Sequence, residues 1–150
     1  LLAIVRRGTP QRLGVPGEEL PKVAYRLQDP AQYSGKSVLV VGGGDSAVEA
    51  ALSLADHGGI KVTLCHRGKG FARAKPQNRH RLDQAVRERR LGVLLEAEVA
   101  AIAPDHVVVV GRGREARVPN HAVIACIGGS LPDAFLKSFG ITTVTHYGTA

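Results

Sequence analysis

Ten residues near the middle of the chain, Val40-Val41-Gly42-Gly43-Gly44-Asp45-Ser46-Ala47-Val48-Glu49, contain the spacing G-x-G-x-x-A. Each small residue in that spacing has a physical role. Gly42 permits a tight turn, Gly44 lets the backbone approach a diphosphate, and Ala47 lets the following helix pack closely on the strand. The first N–H groups of a helix have no intrahelical acceptor, and the dipole end there is positive, so the turn is suited to phosphate. Three consecutive glycines are more than a simple chain reversal requires.

The second chemical signal is an absence. About 25 residues on, a second apolar run ends as Leu64-Cys65-His66-Arg67-Gly68-Lys69, with no Asp or Glu. An acid at that place would hold a free ribose 2′-hydroxyl and would repel a 2′-phosphate. Arg67 offers a planar fork that grips a phosphate through two hydrogen bonds. Together the two signals predict a dinucleotide site that prefers NADPH to NADH.

The elements needed to position these residues are visible around them. Ser37–Val41 is a β-branched apolar run between Gly35 and Gly42, as in a strand buried on both faces. Asp45 to His57 places Ala47, Val48, Ala51, Leu52 and Ala55 at helical spacing, and Gly58-Gly59 stops it. Lys61–Cys65 is the second strand. Pro76 opens a helix running to about Arg90 with Leu82, Ala85 and Val86 on its inner face. Gly92–Leu95 begins a third strand. Val99–Ile102, His106–Val110 and Ala116–Val118, punctuated by Asp105 and Gly111-Arg112-Gly113, read as an antiparallel meander. Ala122–Ile127 is one more strand, Leu1–Val5 a short one, and Ala134–Phe139 a short helix. The order predicts an α/β, Rossmann-like FAD/NAD(P)-binding fold: a central parallel sheet with helices, plus a three-stranded antiparallel β-meander.

Composition narrows the function classes. With 150 residues and 44% hydrophobic content the chain can bury one substantial core, and no apolar run nears the ~20 residues of a membrane span. It opens on Leu1 and has no Met, which reads as a piece of a longer protein. Cys65 and Cys126 form no CxxC pair, which excludes a disulfide scaffold and a cysteine zinc site and favours the cytoplasm. Both thiols are expected on strands facing the sheet interior, buried and inert. His57, His80, His106, His121 and His146 lack metal-ligand spacing, and Ser46 lacks the G-x-S-x-G setting of a nucleophile. The net charge of +7 is concentrated: His66 to Arg90 holds nine Lys/Arg against two acids, the whole excess. An anion site is therefore local. With Phe71 as its one aromatic, the segment lacks the stacking residues of a nucleic-acid binder.

Gly42 to Ala51, followed by His66-Arg67 and Phe71-Ala72-Arg73-Ala74-Lys75, resembles the NADPH-binding domain of the thioredoxin reductase-like flavoproteins, nearest their bacillithiol-disulfide reductase-like branch. Arg7-Gly8-Thr9-Pro10 and Leu13 to Glu19 resemble that family's crossover from its FAD domain. Ala125-Cys126-Ile127-Gly128-Gly129 with Pro132 resembles the strand and turn closing its nicotinamide side. The resemblance implies three segments: a crossover at 1–36, an NAD(P)-binding domain at 37–145 and a return hinge at 146–150. It implies that Gly42, Gly43, Gly44, Asp45, Ser46 and Ala47 line the pyrophosphate. His66, Arg67 and Arg73 would hold the 2′-phosphate, with Glu49, Ile127 and Gly128 toward the nicotinamide.

It further implies hydride delivery from NADPH to FAD in a missing domain of the parent chain, and a homodimeric parent. Three departures bear on this. Val23 to Asp29 stands in place of a redox CxxC, so no dithiol of this chain reduces a disulfide. Gly68 stands in place of the second arginine of the usual His-Arg-Arg, leaving Lys69 or Lys75 to substitute. Val5 stands where the FAD domain has glycine, so the fragment is expected to hold no FAD and to be inactive alone. The alternative reading is a non-catalytic module that binds or senses NAD(P).

Overall fold

The computed structural model describes residues 13–127 and two short paired strands at 9–10 and 129–130. Leu1–Val5, Ala134–Phe139, Gly128, His146 and the 146–150 segment lie outside the described residues. In chain order the elements are β1 (Thr9–Pro10), β2 (Val23–Ala24), a 3-10 turn (Pro30–Tyr33), β3 (Ser37–Val41), α1 (Asp45–His57), β4 (Lys61–Cys65), α2 (Pro76–Arg87), β5 (Leu91–Leu94), β6 (Ala97–Ile102), β7 (His106–Gly111), β8 (Arg114–Pro119), β9 (Ala122–Ala125) and β10 (Gly129–Ser130).

A parallel sheet in the order β2-β9-β3-β4-β5 forms the middle layer. From β3 the chain winds outward through β4 and β5, then returns on the other side of β3 as β9. The ends of β3 and β9 therefore flank the point where winding reverses, and open α/β sheets bind their ligands in the crevice outside such a point.

The alternation of side chains across β3 explains the layers. Val38 and Val40 face the helices and join Val48, Ala51, Leu52 and Leu54 of α1 with Leu82 and Ala85 of α2. Leu39 faces the other way and joins Cys65 and Val123 against Val99, Ile102, Val107 and Val109 of the meander. A strand covered on both faces must be apolar throughout, which is why Ser37–Val41 shows no period of two. The β6-β7-β8 meander closes through Arg112-Gly113, both at positive φ, the backbone of a tight hairpin turn.

Four details differ from the sequence reading. The Val23–Ala24 strand adds a fifth member to the sheet beside β9, from the crossover stretch where no strand was expected after Val5. The second helix ends at Arg87, not near Arg90: Arg89 takes φ +59, its N–H donates to the Val86 carbonyl, and the Arg90 N–H donates to that of Ala85. That is a Schellman stop made without glycine, so no sequence signal announced it. Val86 is exposed, because the buried stripe of α2 runs through Asn78, Leu82 and Ala85 and leaves it one step around the helix. The last strand of the sheet ends at Ala125, so Cys126 lies just past it and is only partly buried.

Candidate functional site

The glycine turn sits at the reversal point of the sheet. Gly42 leaves β3 at φ +145, and a Cβ there would lie 2.2 Å from the Cys126 carbonyl oxygen and 2.9 Å from the Ala47 Cβ. The turn is thus pressed between the end of β9 and the first turn of α1. Backbone hydrogen bonds hold it there: Gly42 N–H donates to Cys65 O at 3.0 Å and Cys126 N–H to Val41 O at 2.8 Å. Gly44 is the N-cap of α1, and no side chain caps the helix. A Cβ on Gly44 would meet nothing within 4 Å. The helix start at Gly44, Asp45 and Ser46 is therefore open to a face that a diphosphate can approach, so the residues present fit that group.

Asp45 contributes backbone, while its carboxylate turns to α2. Its Oδ1 accepts from the Lys75 N–H at 2.7 Å and from Asn78 Nδ2 at 3.0 Å, and Asn78 Nδ2 also donates to Glu49 Oε1 at 3.1 Å. The Lys75 N–H, then Asn78, hold Asp45 below its ordinary pKa. Asn78 is 3% exposed, and it joins the first turns of both helices, keeping the basic loop 66–75 beside the glycine turn. Asn78→Ala is expected to lower stability by about 1–3 kcal/mol, since a buried polar bridge is lost. Urea midpoints would measure it. The Asp45 share is present above the ordinary value of 3.8 and is lost as pH falls through the lower folded value, so the gap between variant and parent should narrow below pH 3.8.

Six of the site residues named from sequence meet in one cleft of about 290 Å³: Gly42, Gly43, His66, Arg67, Arg73 and Ile127. Gly44, Asp45, Ser46 and Ala47 form the adjoining helix start, with Ser46 exposed and Ala47 buried. Glu49 is on the α2 side, bonded to Asn78. Burial, with Arg73 and Arg67 close by, lowers the His66 pKa against an opposing hydrogen bond to the Gly70 backbone. Cys65 lies in the cleft wall and Cys126 beneath the turn. Burial pushes each thiol up to about 11, Cys65 with help from Glu98, so both stay protonated near neutrality.

The cleft also holds residues the sequence reading passed over. Leu13 and Val15 line it from the crossover stretch, and Glu98 adds an acid from β6. Outward-facing Glu98 follows from the alternation of β6, but its place in the cleft wall depends on the meander folding back over the sheet.

Residues 3–148 match the family model of the pyridine nucleotide-disulphide oxidoreductases. The chain belongs to that family. It is 37% identical over 147 residues to a ferredoxin–NADP reductase of Ignicoccus hospitalis, covering 94% of this chain and 47% of that one. The bacillithiol disulfide reductase Bdr of Bacillus cereus superposes with a TM-score of 0.84 at 30% identity, over 89% of this chain and 41% of that one. A thioredoxin reductase of Streptococcus pyogenes superposes at 0.73 with 28% identity, over 91% and 46%. The expected resemblance and fold class both hold. The chain spans less than half the length of these oxidoreductase relatives. Among the described residues no helix is long and apolar enough to cross a membrane.

Proposed function

We propose that this chain is the NADPH-docking domain of a flavin-dependent oxidoreductase. The observation that carries the reading is the glycine turn at the sheet's reversal point, opening on a cleft that Arg67 and Arg73 share with no acid at the end of β4. Gly42 to Ala47 seat the diphosphate through backbone N–H groups. Arg67 and Arg73 bind the 2′-phosphate, with His66 beside them, while Ile127, past the end of β9, faces the nicotinamide. The bound coenzyme supplies a hydride to FAD held in another part of the parent protein.

The pairing of β1 with β10 supports an inserted domain. It sets the entering and leaving strands side by side, as a unit spliced into a second domain requires. The relatives' names support NADP as the coenzyme, because one such protein is a ferredoxin–NADP reductase.

Arg67→Ala tests the reading. One or two charge-assisted hydrogen bonds at ~1.5–3 kcal/mol each predict a tens- to thousands-fold loss of NADPH affinity, with NADH changed by no more than a few-fold. Calorimetric titration of both coenzymes measures the two losses separately. Equal losses would remove Arg67 from the phosphate grip, and no heat from either coenzyme at millimolar dose would end the NADPH reading.

A further inference from the structure

A second groove, of about 490 Å³, lies between α2 and β5, the strand at the edge of the sheet. Its walls are apolar: Leu82 and Val86 of α2 face Phe71, with Val93 of β5 and Leu95 just past it. Three large apolar residues are exposed among the described residues, and two of them, Val86 at 39% and Leu95 at 36%, stand in this groove. A lone surface valine needs no explanation, but two such residues beside half-buried Phe71 and Val93 form a patch. β5 has no strand on its outer side, so the N–H and C=O groups of that edge are open to another chain.

Charge follows a fixed order along the rim. Arg79, Asp83 and Arg87 recur every four residues on α2 and border the apolar wall. Arg81 and Arg90, on the flank toward α1, are paired with Asp56. The guanidinium groups of Arg79 and Arg87 have no partner among the described residues. α2 joins parallel strands and so runs back alongside β5, with the two arginines about 12 Å apart along its axis. Side chains on one face of an extended chain recur about every 6.7 Å, so its first and fifth residues are about 13 Å apart. Two acids at those places would meet the two arginines. Asp83, midway, repels an acid at the third place, whereas an apolar side chain there would cover Val86 and Leu95.

We propose that this groove docks an acidic-x-apolar-x-acidic segment of a separate partner protein, which adds to the free edge of β5 as an extended strand. Backbone bonds to β5 supply affinity, and the arginine pair with the apolar wall supplies sequence choice. The groove itself needs no coenzyme. That its occupant is a separate protein, and not the rest of the parent chain, rests on the inserted-domain reading. On that reading the parent joins through β1 and β10, which follow the end of β9, and β3 and β4 separate β9 from β5.

Fluorescence anisotropy with labelled peptides centred on Glu-Thr-Leu-Thr-Glu and on the equally charged Glu-Glu-Leu-Thr-Thr tests the proposal. The spaced peptide should bind at least tenfold tighter. Equal binding would overturn the docking site, because attraction to a basic surface would then suffice. Arg87→Glu and Val86→Asp, both at exposed positions, should each weaken the spaced peptide tenfold or more and move the thermal midpoint little. Arg87→Glu should regain affinity for a peptide with Lys in place of one terminal Glu, and the end that restores it reports the strand direction. No recovery with either exchange would overturn the pairing of Arg87 with an acid.

N-methylation of the leucine and glutamates, or of the two threonines, blocks opposite edges of the peptide. One set should abolish binding and the other spare it; equal effects would overturn the added strand. Binding by this chain but not by its full-length parent would place the parent's own polypeptide on the groove and overturn the separate partner. NADPH and NADH titrations of the same variants should be unchanged, so failure of the coenzyme reading and failure of the groove are told apart.

Discussion

Gly42→Ala is expected to cost the chain a large share of its folding free energy, before any question of binding arises. Two independent terms act at this position. The backbone at φ +145 is one that residues with a Cβ rarely adopt, and holding it costs on the order of 1–3 kcal/mol. The added methyl would also stand 2.2 Å from the Cys126 carbonyl oxygen and 2.9 Å from the Ala47 Cβ. Neither neighbour is the flexible end of a side chain. One is backbone leaving β9 and the other is a fully buried residue in the first turn of α1. Forcing them apart adds about 1–3 kcal/mol or more. Against a total stability of ~5–15 kcal/mol, the sum should move the urea midpoint far down or leave the protein unfolded. Gly58→Ala is the matched control. Its φ of +82 carries the strain, but a Cβ there would meet nothing within 4 Å, so it should show the strain cost alone. Equal midpoints for the two variants would mean that the ends of β3 and β9 do not close on the turn as described.

How much of this was legible in the sequence depends on whether a feature is local. The strand-turn-helix from Ser37 to His57 was fully readable, because a doubly covered strand, a glycine turn and an alanine-rich helix face each leave a pattern within a few residues. The meander was readable for the same reason, with its boundaries one to two residues short at several ends. The Val23–Ala24 strand left no pattern: two residues paired to β9 are fixed by their partner and not by their own period. The helix stop at Arg89 was hidden because a residue with a side chain took the left-handed position that usually belongs to glycine.

In the site, the course of the backbone could be read and the side-chain directions could not. Asp45 lies in a phosphate-turn motif, yet its carboxylate is bonded to Lys75 and Asn78, thirty or more residues away. Gly68 looks from sequence like a missing cation, and the structure sets the His66 ring beside it, with Nε2 2.7 Å from where its Cβ would stand.

Gly44→Val should have the opposite profile to Gly42→Ala: a fold kept and a ligand lost. Gly44 has φ −95 and ψ −174, extended backbone that valine adopts readily, and its Cβ would touch no protein atom within 4 Å. The remaining cost is the poorer N-cap, on the order of 1 kcal/mol, because glycine ranks well above valine at that position. The two methyl groups would project from the N-cap over the open face where the first N–H groups of α1 must meet a diphosphate. Those contacts come from backbone and cannot be re-aimed by a change of rotamer, so the oxygens would be held beyond hydrogen-bonding distance. On the proposed reading both coenzymes use this seat, so affinity for NADPH and for NADH should fall together by at least a hundredfold, or about 2.8 kcal/mol. Arg67→Ala separates the two coenzymes; Gly44→Val should not. Calorimetry beside a thermal melt reads both halves of the expectation. An unshifted melt with unshifted titrations would show that nothing docks at the start of α1, whatever else the cleft binds.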